Sequence, residues 1–207
     1  MRKSFKPFFF LSLLLILSCS NKNELKDGDL LFIAKNDSNL EKAITGVTQV
    51  QPGTLYSHIA IVQVTPDTIW VWDASPEHGT RKLELSSFIR EQNADIHHYR
   101  IKKEYLKDIR NIWHLAEKMQ GKPYNFSYQM NDTSYYCSDF IYRLFPNDSI
   151  FTLNPMTFKN PQTGKFDTTW VEYYHKLGIK IPESELGCNP NGFAANDKLD
   201  YLGKLYY

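Results

Sequence analysis

The sequence is poor in cysteine: three in 207 residues are too few for a disulfide-stapled scaffold or a four-cysteine zinc site. An excess of one charge is missing too. The 24 Lys and Arg stand against 23 Asp and Glu, a net charge of +1, so no cationic field exists to gather nucleic-acid phosphates. The ten glycines form no phosphate-cradling loop. The apolar run Phe8 to Leu17 is too short to span a bilayer comfortably, and no internal repeat or low-complexity block is visible. What remains is a globular composition, 42% apolar and 14% aromatic, of a length that suits one domain.

The first 18 residues read as a targeting segment rather than as fold. Arg2, Lys3 and Lys6 precede the apolar run, which ends in Ile16-Leu17-Ser18-Cys19. That ending resembles the lipobox of bacterial lipoproteins, which implies cleavage before Cys19 and lipidation of its thiol. Cleavage would remove three basic side chains and move the net charge from +1 to −2. Several acyl chains anchor a protein stably where one does not. The expectation is therefore a signal peptide over 1–18, a lipidated cysteine and short tether over 19–27, and one domain over 28–207. The product would be held on a bacterial envelope membrane, expected to be the outer one, at its periplasmic or surface face.

Within the domain, Asp29 to Ala34, Ile59 to Val64, Thr68 to Ala74 and Asp95 to Ile101 read as strands, with turn signals at Asp27-Gly28 and Thr65-Pro66-Asp67. Leu40 to Ile44 suits a short helix. Over Glu104 to Gln120, Tyr105, Ile109, Ile112, Ala116 and Met119 form one apolar stripe, and Gly121 stops the helix. A second helix begins near Cys137 and runs to Pro146. A third covers Thr169 to Leu177, with Thr169 and Glu172 at capping-box spacing. A terminal strand falls near Leu199 to Tyr207. Strands first and helices after predict an α+β fold with an antiparallel sheet packed against helices.

Two residues carry candidate chemistry. Cys137 opens a helix, where unpaired N–H groups favour thiolate, the nucleophilic form; the plainer alternative is a buried core cysteine. His58 leads a β-branched strand, which would hold an imidazole rigidly; the alternative is a structural histidine. A third group must orient that ring. Asp73 ends the next strand and lies near His58 if the two pair antiparallel, with Glu77 and His78 as neighbouring choices. His97, His98, His114 and His175 lack metal-ligand spacing and read as surface or structural, and no metal site is expected.

Five segments in order resemble the circularly permuted NlpC-type cysteine hydrolases of the YiiX/YebB-like group: Gly28-Asp29-Leu30-Leu31-Phe32, Ser57-His58-Ile59-Ala60-Ile61-Val62, Trp72-Asp73-Ala74, Gly121-Lys122-Pro123-Tyr124 and Tyr136-Cys137-Ser138-Asp139-Phe140. The resemblance implies a papain-like core in which histidine precedes cysteine. It implies Cys137 as nucleophile, His58 as base and acid, and a polar orienter on the following strand. Glutamate is often found at that third position, where this chain offers Asp73. Tyr124 is implied as an oxyanion or substrate contact, and Tyr56, beside His58, is taken with it. Cys188 is expected to have no chemical role; a Cys137–Cys188 disulfide would silence the enzyme.

The expected activity is cofactor-free hydrolysis of an amide or ester through a thioester. Cell-wall peptides lead as substrate, peptidoglycan fragments among them. The alternatives are a lipid acyl hydrolase or acyltransferase, and a catalytically inert, lipid-anchored binding module. Nucleic acid is not an expected partner.

Overall fold

The β-branched and aromatic segments of the sequence form one antiparallel sheet, with helices in the connections. The computed structural model describes residues 24–34, 37–48, 53, 55–106, 109–146 and 150–206. The strands are β1 (Leu30–Ala34), β2 (His58–Val64), β3 (Ile69–Ser75), β4 (Gly79–Glu84), β5 (Asp95–Ile101) and β8 (Leu199–Lys204), with the two-residue pair β6 (Asn154–Pro155) and β7 (Leu186–Gly187) apart. Helices α1 (Asn39–Thr48), α2 (Leu85–Gln92), α3 (Ile109–Met119), α4 (Cys137–Arg143), α5 (Thr168–Leu177) and α6 (Pro190–Ala194) lie between them. The main sheet has the order β4-β3-β2-β1-β5-β8, antiparallel at every step. This is the α+β architecture that the order of segments predicts.

Both faces of the sheet are covered, so the central strands are apolar throughout. Along β1, Leu30 and Phe32 join one core with Ile59, Ile61, Trp72, Ile112, Phe140 and Ile141. Leu31 and Ile33 point the other way, into a core with Ala60, Val62, Val71, Leu85 and Phe88. The period-two alternation of a strand makes this division, and each fully buried Leu or Ile contributes about 1.5–3 kcal/mol. A third cluster joins α1 to α5 through Ala43, Phe158, Trp170 and Tyr174. Among the described residues, no helix is long and apolar enough to cross a membrane.

Several boundaries differ from expectation. Helix α3 begins at Ile109, and residues 103–105 turn instead, with Tyr105 N–H bonded to the Lys102 carbonyl at 2.9 Å. Lys102 is tied to the carbonyl of Lys198, which pulls this stretch toward β8 and off a helical path. Helix α5 is capped by Asp167, whose carboxylate accepts the Thr169 N–H at 2.8 Å, rather than by Thr169. Helix α1 extends to Thr48. Of the residues expected to form a tether, 24–27 pack against the fold. Leu25 is buried, and Asp27 accepts the Val64 N–H at 2.8 Å and the Trp113 indole N–H at 3.1 Å. Strand β4, with helices α2 and α6, was not anticipated. Cys19 and the expected signal peptide lie outside the described residues.

Candidate active site

Strand β2 starts at His58, which pairs across from Ile33 of β1. On the other side Ile61 faces Trp72 of β3. That register puts Asp73 on the same face as His58, one diagonal step away, which is within reach of a ring and a carboxylate. The contact forms: His58 Nε2 lies 3.0 Å from Asp73 Oδ2. Arg81, directly opposite Asp73 in the β3–β4 ladder, donates Nε–H to Oδ1 at 2.9 Å and bonds Glu91 of α2 through Nη2 at 2.8 Å. Asp73 is wholly buried. Burial alone would raise its pKa, but the hydrogen bonds and charges of His58 and Arg81 outweigh that and hold the carboxylate ionised.

The hairpin that places Arg81 depends on Gly79. Its φ is +66°, and a Cβ there would sit 2.2 Å from the Lys122 carbonyl oxygen. The same close approach carries the backbone bond from Thr80 N–H to Lys122 O at 2.9 Å, so the hairpin is fastened to the loop leading to Tyr124.

Cys137 is the first residue of α4, buried, and close enough to His58 to help raise the pKa of its imidazole. Since Nε2 is taken by Asp73, the ring nitrogen left for the sulfur is Nδ1. His58 also stacks on Phe88 of α2, with centroids 6.5 Å apart. Burial would lower the imidazole pKa, but the hydrogen bond to Asp73, the neighbouring Cys137 and the charges of both raise it to about 10. An imidazolium is therefore stable beside the sulfur at neutral pH.

Tyr124 lines the cleft beside Cys137. Its phenol is pushed well above the ordinary value by burial and by Tyr128 and Cys137, so it stays a neutral donor. Tyr56 does not join it, and that expectation is corrected. Its hydroxyl is 3.0 Å from that of Tyr99 and its ring packs on Phe32, so it is a core side chain. Its backbone serves the site indirectly: Asn191 bonds both Tyr56 N–H at 2.7 Å and its carbonyl at 3.0 Å, fixing the approach to His58. Glu77 and His78 are exposed and line the cleft on the His58 side without replacing Asp73.

Arg81 and Tyr128 were missed. Arg81 is the opposite-charge partner of Asp73 across the β3–β4 hairpin, and no sequence pattern announces β4. Tyr128 has φ +57°, a left-handed conformation that nothing in the local sequence announces.

Cys188 is a free thiol, as is Cys137. Burial pushes it up to about 12, and its sulfur lies 3.6 Å from the Tyr136 hydroxyl, so it is a protonated packing group on the cleft wall. Among the described residues, no group of three or more His, Cys, Asp or Glu side chains is placed to hold a metal.

Residues 24–203 match the family described as permuted papain-like amidase enzymes, YaeF/YiiX, C92 family. The chain belongs to that family. The family is one of permuted papain-like cysteine hydrolases. Among solved structures, the chain is similar to metalloprotein YiiX from Escherichia coli O157:H7, with a TM-score of 0.68 and 20% identity. The likeness covers 88% of this chain and 98% of that one, and it shows a shared fold. No curated protein matches the sequence.

Proposed function

We propose that Cys137, His58 and Asp73 are the catalytic machinery of this C92-family amidase. The observation that carries this is the His58 Nε2 to Asp73 Oδ2 contact of 3.0 Å, which leaves Nδ1 for the thiol. Cys137 sulfur attacks an amide or ester carbonyl. His58 gives its proton to the departing amine or alcohol as the carbon–heteroatom bond breaks, leaving a thioester. His58 then takes a proton from water, which attacks the thioester; the acid is released and the cysteine sulfur leaves as thiolate beside the protonated His58. The Cys137 backbone N–H at the start of α4 and the Tyr124 phenol are the donors that would meet the oxyanion.

The test pairs a thiol-directed probe with substrate turnover. Wild-type protein should label quickly at Cys137 and hydrolyse an acyl amide; Cys137→Ala should do neither while keeping its melting temperature. Turnover by the alanine variant would end the proposal, and so would slow, His58-independent labelling, which is what an inert binding module predicts.

Ser18-Cys19 after the apolar run supports an envelope tether through lipidated Cys19. Incorporation of a labelled fatty acid, lost in Cys19→Ala, tests that reading. Cell-wall peptides and acyl amides or esters are the two substrate classes to compare.

A further inference from the structure

Two phenols wall the cleft between Cys137 and His58, and the mechanism above uses one of them. Tyr124 and Tyr128 both line the cavity that touches Cys137 and the wider one that touches His58. Burial pushes each phenol well above the ordinary value, and neighbouring phenols and Cys137 push it further. Both therefore stay neutral within electrostatic reach of the sulfur, and each feels the other's hydroxyl.

Tyr128 is held there against its own preference. Its φ of +57° is left-handed, a region that bulky side chains avoid. Such a conformation persists only where its surroundings over-determine it, and it concentrates at functional sites. Here the two carbonyls that precede it are both tied to α5. Tyr173 O–H donates to the Phe126 carbonyl at 2.6 Å, and Tyr174 O–H donates to the Ser127 carbonyl at 3.1 Å. The buried Asn125 closes the loop, accepting the Ser127 N–H at 3.1 Å and donating to the Gln129 carbonyl at 2.7 Å. The ring then meets Tyr136 and Trp170 edge-on, with centroids 5.4 and 5.9 Å away. A phenylalanine would fill the same cage. It would lack the hydroxyl beside Tyr124.

Resting on the hydrolase reading above, we propose that Tyr128 is a positioning residue: its O–H donates to the Tyr124 oxygen and so aims the Tyr124 O–H at the oxyanion. Hydroxyl protons rotate to suit their partners. The pair can bond to itself while the cleft is empty and turn toward the carbonyl oxygen as Cys137 attacks. A phenol that accepts one hydrogen bond is a stronger donor in the next, and the gain falls where charge develops. No proton leaves either phenol in this step.

The experiment follows hydrolysis of p-nitrophenyl butyrate by wild type, Tyr124→Phe, Tyr128→Phe and the double variant. Each is also inhibited with butanal, which adds the Cys137 sulfur to give a hemithioacetal oxygen at the oxyanion position, and with butanol, which cannot. Tyr124→Phe should lower kcat about 10²-fold. Tyr128→Phe should lower it about three- to tenfold, the worth of one neutral hydrogen bond, with KM within about twofold. It should weaken butanal by a similar factor and leave butanol unchanged. The double variant should match Tyr124→Phe within about twofold, because one phenol acts through the other. A ring-fluorinated tyrosine at position 128, a stronger donor of the same shape, should keep kcat at or above the wild-type value, and it decides the matter if Tyr128→Phe fails to fold. Where turnover is too slow to rank, the butanal-to-butanol ratio alone decides. An unchanged kcat in Tyr128→Phe, a loss confined to KM or to urea stability, or a fully additive double variant would overturn the inference and leave the hydrolase standing. A wild type that neither turns over the ester nor labels at Cys137 would remove the hydrolase reading, and the inference with it.

Discussion

His58, Asp73 and Arg81 at one end of β2, and His98, Asp29 and Arg100 toward the other end of β1, are the same three side chains in the same contacts. In each cluster a histidine Nε2 meets Oδ2 of a buried aspartate, at 3.0 Å in the first and 2.6 Å in the second. In each, an arginine Nε–H bonds Oδ1, at 2.9 and 2.7 Å. Both aspartates have lowered pKa values although burial alone would raise them, because the paired histidine and arginine outweigh it. The clusters differ in the second ring nitrogen. That of His58 faces a thiol and an open cleft. That of His98 is buried with no hydrogen-bond partner among the described residues. An Asp–His–Arg set is thus a positioning device; in the proposed mechanism, access to a thiol makes one copy chemical, while the other joins β1 to β5.

The sharpest way to break this comparison is to remove each ring. His58→Ala should lower kcat on the order of 10³- to 10⁴-fold and also lower stability, because it strips a partner from the buried Asp73. His98→Ala should leave kcat within about threefold and cost about 3–5 kcal/mol, because it strips a partner from a buried charge. Urea unfolding beside steady-state kinetics reads both, and a large kcat loss in His98→Ala would erase the distinction. Next in size, Asp73→Asn should cut kcat by about 10²-fold or more through loss of ring orientation, whereas Asp29→Asn should act on unfolding alone.

The pH response sharpens the contrast further. His58 has its pKa raised from the ordinary histidine value of 6.5 to about 10, so its ion pairs stabilise the fold fully below about 6.5. That contribution is lost as pH climbs toward 10, where the alkaline limb of kcat/KM should also fall. In Asp73→Asn the limb should move to lower pH; an unmoved limb would show that Asp73 does not hold the imidazolium.

Arg81→Lys should give the smallest effect. Lysine keeps the charge but cannot bond Asp73 and Glu91 together, so a loss of about three- to tenfold in kcat is expected, with the same downward shift of the alkaline limb in weaker form. A stability loss without that shift would make Arg81 a structural residue only.

The sequence was legible where local pattern and final environment agree. The β-branched run after His58 is β2, the apolar stripe from Ile109 to Met119 is α3, and Gly178 follows α5 in a left-handed cap. It was less legible where distant groups decide. Glu104 to Leu106 fits a helical stripe, yet a bond from Lys102 to Lys198 draws that segment toward another strand. Tyr56 looks like a site residue beside His58, yet strand entry turns it into the core against Tyr99. Helix α2 hid in a short polar-rich segment, Leu85 to Gln92, held by the burial of Leu85 and Phe88.

By itself the sequence determined the strand-first order, the candidate cysteine and histidine, and the aspartate two strand positions from a turn; these follow from periodicity and from what each side chain can do. Only the tertiary structure decided which of two matching histidine–aspartate pairs meets a sulfur, and which tyrosines face the cleft. Those outcomes depend on contacts between segments tens of residues apart, and no local pattern encodes the register that brings them together.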